Sequence, residues 1–206
     1  MSNVNFVIRS LVFALAGSVL VFLGVGQILA DSWTVSTTRS MPLKPAQIAS
    51  AVQRLDEWSQ WSSVDFQLGN PTTQEVTGEP GKPGQEAVWS GPLGKAVVTL
   101  DGVREDGVEY RIGFLYARGN VGGKFSGNIR WVPTADGVEV TWTEEGRLGS
   151  LIERWTNWFG ALQDKVQQIQ SASLQGLEEH AGQQVAGAGA PEAGAKELGA
   201  TPGNAK

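Results

Sequence analysis

The chain has 206 residues, a formal net charge of −5, one histidine and no cysteine. The missing cysteines exclude disulfides, thiolate chemistry and cysteine-based zinc sites, so we expect no metal site and no cofactor. The acidic balance argues against a nucleic-acid partner, because phosphate backbones are bound by basic faces.

The first element is an uncharged apolar segment at residues 11–30, LVFALAGSVLVFLGVGQILA. At ~1.5 Å per residue its length matches a hydrocarbon core of roughly 30 Å, which predicts a transmembrane helix. A signal peptide cleaved after Ala30 and a buried soluble helix are the alternatives. The apolar length and the poor fit of Ile28 to a small-x-small cleavage site favour the retained anchor.

The charges around this segment predict its orientation. Arg9 precedes it and Asp31 follows it, so the positive-inside rule leaves the N-terminus in the cytoplasm. We therefore expect a single-pass protein of the cell membrane with a periplasmic domain. Cleavage near Ala30 would give a secreted protein instead.

The next elements are one strand and two short helices. Trp33, Val35 and Thr37 alternate with polar residues, which predicts a strand over residues 31–41. Apolar residues at helical spacing predict a helix over residues 46–55, and EWSQWS at 57–62 predicts a second, with Trp58 and Trp61 packed in the core or as a lid. Residues 64–83 are rich in glycine and proline and read as a loop or an edge hairpin.

A run of strands follows, separated by short turn sequences such as EDG and TADG. Connections this short make neighbouring strands antiparallel. Most of the strands carry one apolar and one polar face, as expected of a sheet covered on one side. Glycines at positions 91, 102, 113 and 127 predict bends that curl the sheet. The predicted strands cover residues 85–91, 95–104, 108–118, 123–133 and 137–145.

A long amphipathic helix is predicted over residues 149–177. Ser150 and Glu153 form a capping box at its start, and an apolar stripe containing Trp155, Trp158 and Phe159 needs a broad surface to cover it. We expect the curved sheet to wrap this helix. Beyond residue 180 the chain is rich in alanine and glycine, and the tail 181–206 is predicted to be disordered.

The order of elements resembles the START-like SRPBCC superfamily, in particular its polyketide cyclase/dehydrase-like bacterial branch. The likeness is carried by SWTV, EWSQWS, VWSGPLGKAVVTL and GNIRWVPTADGVEVTW, and by the terminal helix. It implies an α+β helix-grip domain at residues 31–180, in which a curved antiparallel sheet wraps a long C-terminal helix behind the transmembrane segment 1–30. It also implies an apolar cavity that holds a lipid or another hydrophobic small molecule. Fold alone does not choose between carriers and enzymes.

The inward-facing apolar residues are the candidate lining of this cavity, and a solid core made of the same residues is the alternative. Glu144 continues the inward set and is a weak candidate for a base or a ligand anchor, although a solvated strand end is the simpler interpretation. For Tyr110 and Tyr116, hydroxyl tips at the surface are the simpler interpretation. The candidate lining is Trp89, Val98, Leu100, Tyr110, Ile112, Phe114, Phe125, Ile129, Trp131, Val140, Trp142, Trp155, Phe159 and Leu162.

Together these patterns favour a membrane-tethered domain that binds a hydrophobic small molecule or lipid without chemistry. Residues 11–30 supply the membrane contact. A cyclase- or dehydrase-like enzyme using Glu144, and a protein-interaction module, are the alternatives.

Overall fold

The computed structural model describes residues 2–64, 68–117 and 121–188. Within them the chain forms five helices and seven strands. In chain order these are α1 (Ser2–Ile28), β1 (Ser32–Met41), α2 (Pro45–Val52), α3 (Trp58–Trp61), β2 (Thr73–Thr77), β3 (Glu86–Gly91), β4 (Gly94–Arg104), β5 (Gly107–Tyr116), β6 (Val121–Thr134), β7 (Gly137–Arg147), α4 (Leu151–Trp158) and α5 (Ala161–Ala188).

The strands form one antiparallel sheet in the order β1-β7-β6-β5-β4-β3-β2. Strands β2 to β7 follow one another as neighbours because their connections are short. β1 pairs with β7 along its whole length, from Ser32 opposite Arg147 to Met41 opposite Val138. α2, α3 and α5 cover one face of the sheet, which confirms the predicted α+β helix-grip fold. The glycine- and proline-rich stretch 64–83 contributes the edge strand β2.

The sheet bends where glycines interrupt the strands. The pairing of β4 with β5 shifts register between Leu100 and Gly102, and the pairing of β5 with β6 shifts between Gly113 and Leu115. An extra residue in one strand increases its local twist and bends it. Two of the glycines predicted to mark bends therefore lie at the irregularities that curve the sheet around the helices.

The two tryptophans of α3 are part of the core, as the sequence predicts. Trp58 and Trp61 are 1% and 4% exposed. Their indole N–H groups donate to the backbone oxygens of Val52 (2.9 Å) and Ala51 (3.1 Å) at the end of α2. A buried indole needs such a partner. α2 and α3 thus hold two large aromatic rings over the middle of the sheet.

The predicted single helix over 149–177 is wrong in one respect, because the structure breaks it in two. The capping box at Ser150 and Glu153 is present, but α4 ends at Trp158 and Gly160 adopts a φ of +78°. Glycine takes this left-handed conformation without strain and commonly ends a helix. The chain changes direction there, so Trp158 and Phe159 are 66% and 74% exposed and do not pack under the sheet as expected.

The last helix also runs further than expected. α5 continues to Ala188, and Ala181 within it is fully buried. The nearby Gln47 amide donates to the backbone oxygen of Ala181 at 3.1 Å. The start of the predicted tail is therefore helical and packed, while residues 189–206 lie outside the described residues.

Candidate functional site

The middle of the interior is filled by side chains. An internal hollow that admits a water-sized sphere would leave accessible surface on the residues around it, yet most of the predicted lining has almost none. Trp58 reaches into this space and places its ring 5.2 Å from Tyr110 and 6.4 Å from Trp142. The residues at or below 5% exposure are Trp89, Val98, Leu100, Tyr110, Ile112, Phe114, Ile129, Trp131, Val140 and Trp142.

The cover that α5 gives to the sheet changes along its length. From Gln170 onwards its inner face is sealed, because Gln170, Leu174 and Leu177 are fully buried. In its first two turns, by contrast, the apolar residues Leu162 and Val166 are only partly buried. The interior is therefore sealed at one end of α5 and open at the other, beside α4.

The sheet presents a row of aromatic rings at the loosely covered end. Phe125 lies 5.4 Å from Trp33 on one side and 5.9 Å from Phe114 on the other, and Phe114 lies 6.3 Å from Tyr116. Leu162 and Val166 of α5 pack against the small cluster of Trp33, Val35 and Leu148. We call the set Trp33, Tyr116, Phe125, Leu162 and Val166 the open end, and the buried Phe114 lies between it and the filled middle.

Glu144 marks the boundary between the open end and the filled middle. Glu144 pairs with Val35 of β1 and Gly127 of β6. Gly146, the next inward-facing residue of β7, pairs with Trp33 and Phe125 of the open end. The glycines make room for large rings. A Cβ at position 127 would lie 2.4 Å from the Tyr110 ring, and one at 146 would lie 2.7 Å from Trp33 Nε1.

The Glu144 carboxyl group is buried, and each of its oxygens accepts one hydrogen bond. The Tyr110 hydroxyl donates to Oε1 at 2.6 Å, and the Gln170 amide donates to Oε2 at 3.2 Å. Trp142 Nε1 donates to the Tyr110 oxygen at 2.7 Å, and the Thr37 hydroxyl donates to Gln170 Oε1 at 2.7 Å. This chain of donors satisfies each member. We call it the Glu144 network.

Burial raises the pKa values of the two titratable groups in the Glu144 network. Desolvation raises the pKa of Glu144 above its usual value, although the hydrogen bonds from Tyr110 and Gln170 oppose this by favouring the charged form. Burial also raises the pKa of Tyr110, and the neighbouring carboxylate raises it further. The expectations of a solvated Glu144 and of a surface hydroxyl on Tyr110 are therefore wrong. Both groups lie inside because β7 extends past Glu144 to Arg147 and α5 covers it.

The remaining predicted lining residues lie apart from the filled middle. Phe125 and Leu162 belong to the open end. Trp155 stacks on Phe22 of α1, with ring centroids 5.0 Å apart, and the exposed Phe159 lies 6.0 Å from Trp155. Ligand binding by these residues stays a prediction.

Sequence reasoning missed Trp33 and Val166 of the open end and Thr37 and Gln170 of the Glu144 network. Trp33 shares the inward face of β1 with Val35 and Thr37, so the alternation of this strand indicates that all three side chains point to the interior. Val166 and Gln170 follow Leu162 at intervals of four along one helix face. Gln170 and Tyr110 share one carboxylate partner, Glu144, which is distant from both in sequence. No local sequence pattern therefore indicates this network.

A second concave surface lies on the outer face of the sheet. It is a groove of about 960 Å³ across β1, β7, β6, β5 and β4, and none of the described helix residues lines it. Its wall includes the outward-facing Arg111, Lys124, Glu145 and Arg147. Its lining is more apolar than polar and includes Trp33 and Phe125 of the open end, while Arg111 in its wall is paired with Asp101 at 2.6 Å.

Solved structures with low sequence identity share this fold. A protein of unknown function from Staphylococcus aureus, SA2116, has a TM-score of 0.56 at 11% identity, with 75% of this chain and 96% of that chain covered. An uncharacterized protein from Rhizobium leguminosarum has a TM-score of 0.53 at 11% identity, with 74% and 95% covered. DynU16, from the dynemicin biosynthetic locus, has a TM-score of 0.51 at 16% identity, with 73% and 47% covered.

The sequence comparisons give the family. None of the curated proteins compared with the chain matches it. The family model described as "Polyketide cyclase / dehydrase and lipid transport" matches residues 32–182, which span β1 to α5 and include the whole sheet. The chain belongs to the polyketide cyclase/dehydrase and lipid transport family.

Proposed function

We propose that the protein binds a hydrophobic small molecule or lipid at the open end, tethered to a membrane by α1 and without catalysing a reaction. The family supports a hydrophobic ligand in general terms. Charge and metal chemistry contribute little, because the open end consists of aromatic and aliphatic side chains above one hydrogen-bonded carboxyl. Binding by such a surface depends on removing apolar area from water.

The single observation that carries this proposal is the change in burial along α5. Leu162 and Val166 of α5 and Phe125 of the facing sheet are all only partly buried. This incomplete cover leaves room between helix and sheet, and an apolar ligand would fill that room. The filled middle limits the depth of the site. We therefore propose that the ligand inserts one end between α5 and the row of rings and stops at the Glu144 network, which could bind a ligand hydroxyl.

The tether rests on α1. It contains an apolar span, Phe6–Ile28, whose most hydrophobic stretch is not buried in the protein. Its length and composition suit a membrane crossing, although a signal sequence can have the same length and composition. The packing of α1 on α4 supports the retained anchor, since cleavage would remove a partner of Trp155. We propose that the domain lies on the extracytoplasmic side.

Leu162→Trp is expected to weaken ligand binding by about tenfold or more. The added ring occupies the space between α5 and Trp33, and overpacking of this kind typically costs about 1–3 kcal/mol. The measurement is the saturable emission of dansyl-undecanoic acid added to the full chain in lipid nanodiscs, after subtraction of protein-free discs. Equal affinity of the variant and the native protein would place the ligand elsewhere.

Gln167→Trp is the matched control for this experiment. It adds the same ring five residues later, at an exposed position of α5. Its dansyl titration should superimpose on that of the native protein. If both tryptophan variants lose binding equally, the effect belongs to the helix as a whole and the open end is rejected.

A second candidate function is acid–base catalysis of the cyclase or dehydrase type, and the buried pair of Glu144 and Tyr110 favours it. A carboxyl with a raised pKa at the floor of an apolar site can take a proton from a carbon next to a carbonyl. On this candidate the full chain should accelerate deuterium exchange at the α-carbon of 2-tetralone. The rate should rise with pH as the Glu144 carboxyl ionises, and Glu144→Gln should abolish it. Exchange at the buffer rate would reject catalysis and leave binding intact.

A further inference from the structure

We propose that α4 lies in the membrane–water interface, with Ile152, Trp158 and Phe159 immersed in lipid, so that the open end receives its ligand directly from the bilayer. The occupant of this apolar surface is the bilayer that α1 crosses, so the inference rests on the tether in the proposed function. It adds a second membrane contact and a route for the ligand. Three observations carry it.

The first observation is the joint between α1 and α4. Phe22 stacks on Trp155 with an interplanar angle of 8°, and Trp155 Nε1 donates to the Phe22 backbone oxygen at 3.3 Å. Arg154 donates to the backbone oxygen of Gln27, also at 3.3 Å. Gly26 permits this approach, because a Cβ there would lie 2.9 Å from Trp155 Nε1. α4 is therefore packed against the end of the apolar span.

The second observation is the depth at which this joint lies. The apolar span ends at Ile28, and Phe22 lies six residues earlier, about 9 Å along the helix axis. The interfacial layer of a bilayer is roughly 5–8 Å thick on each side of the hydrocarbon core. If α1 crosses the membrane with Ile28 at the outer edge of this layer, Phe22 and Trp155 lie about 9 Å deep, just inside the hydrocarbon core and next to the layer where tryptophan is enriched.

The third observation is the surface that α4 leaves uncovered. Ile152, Trp158 and Phe159 are 72%, 66% and 74% exposed. Large apolar groups grouped on one short helix are unusual for a surface that faces water alone. The chain is acidic, with a net charge of −5, so attraction to anionic lipid cannot hold α4 at the membrane. Apolar insertion is the interaction that its composition provides.

The position of α4 in the chain connects the lipid contact with the ligand site. Phe159 is followed by Gly160, which turns the chain into α5, and Leu162 of the open end comes within the next turn. The aromatic side chains of α4 therefore lie beside the least covered part of the interior. A molecule dissolved in the membrane, such as a single-chain lipid, could enter the open end without crossing water.

The absence of cysteine makes this proposal directly testable by spin labelling. Ile152→Cys and Phe159→Cys are each labelled with a nitroxide in the full chain, which is reconstituted in nanodiscs of phosphatidylcholine and phosphatidylglycerol. Power saturation compares collisions with oxygen, which concentrates in lipid, and with a water-soluble nickel chelate. We expect oxygen to dominate at both positions, giving a positive depth parameter.

Two matched labels separate the possible failures. Val132→Cys labels an exposed apolar residue of β6, about 23 Å along the strand from Phe125, and should give a negative depth parameter. Val12→Cys labels the middle of α1 and reports the tether. Negative depth parameters at 152 and 159, together with a positive one at 12, would overturn the interfacial helix and leave the tether standing. A negative depth parameter at 12, or loss of residue 12 by cleavage, would overturn the tether and the inference with it.

The ligand-binding proposal fails separately. Loss of dansyl-undecanoic acid binding in the native protein would reject it even if α4 proves to be embedded. Conversely, saturable binding together with aqueous labels on α4 would keep the ligand site and reject the membrane route.

Discussion

Glu144→Gln is expected to stabilise the protein at neutral pH, whereas Glu144→Ala is expected to destabilise it by about 2–4 kcal/mol. Alanine leaves the Tyr110 hydroxyl and the Gln170 amide without their acceptor, and each buried unsatisfied group costs about 1–3 kcal/mol. Glutamine keeps an acceptor for Tyr110. Its new amide can donate to Gln170 Oε1 once that side chain turns over and donates to Thr37.

The two variants should also differ in their pH dependence. The pKa of Glu144 in the folded state lies above its ordinary value of 4.5 because of burial, so the folded state retains a proton that the unfolded state has already released. Stability therefore falls as pH rises from about 4.5 until the folded carboxyl has ionised. Glu144→Gln removes this fall, and its advantage over the native protein should grow across the same interval.

The measurement is urea unfolding of the full chain in detergent micelles, followed by tryptophan fluorescence between pH 4 and pH 9. Glu145→Gln is the matched control, because Glu145 is the exposed neighbour on the outer face of the same strand. Its profile should follow that of the native protein. Parallel pH profiles for Glu144→Gln and the native protein would show that the buried carboxyl does not carry the linkage.

Local patterns predicted the sheet well because strand alternation and turn chemistry are properties of neighbouring residues. The inward set on β7, Val138, Val140, Trp142 and Glu144, follows from alternation alone, and the structure buries all four. The bends at Gly102 and Gly113 were predicted for the same reason, since glycine within a strand marks an irregularity.

The break between α4 and α5 was missed because the apolar stripe continues across it. Residues 151–169 keep helical spacing through Gly160, and a single glycine inside a helical pattern costs only about 1 kcal/mol. Periodicity therefore cannot separate a tolerated glycine from one that ends a helix. The contact that accompanies the break, between Trp155 and Phe22, joins residues 133 positions apart.

The environment of Glu144 could not be read from the sequence either. Its two hydrogen-bond donors come from positions 34 and 26 residues away. Strand parity placed Glu144 on the inner face, but its burial depends on how far β7 extends and on how closely α5 covers that part of the sheet. The choice between a hollow and a filled interior likewise depends on where the rings of α3 lie.

Trp58→Ala is expected to lower the free energy of unfolding by about 3–5 kcal/mol, the usual cost of removing a large aromatic side chain from a core. The Trp58 ring fills the space beside Tyr110 and Trp142, and its loss also leaves the Val52 oxygen without a donor. Trp58→Phe should cost less, because it keeps most of the ring volume. Val132→Ala is the control, since its side chain is exposed on β6 and its loss should change unfolding by less than about 1 kcal/mol.

The same variant tests whether the middle of the interior is filled in the native protein. Dry apolar cavities left by large-to-small substitutions bind small apolar molecules. Indole should therefore raise the melting temperature of Trp58→Ala, as followed by circular dichroism, and should leave the native protein unchanged. An equal rise in the native protein would mean that the middle of the interior already accepts ligands. In that case the hydrophobic site would extend past Glu144 to the rings of α3 and would not stop at the open end.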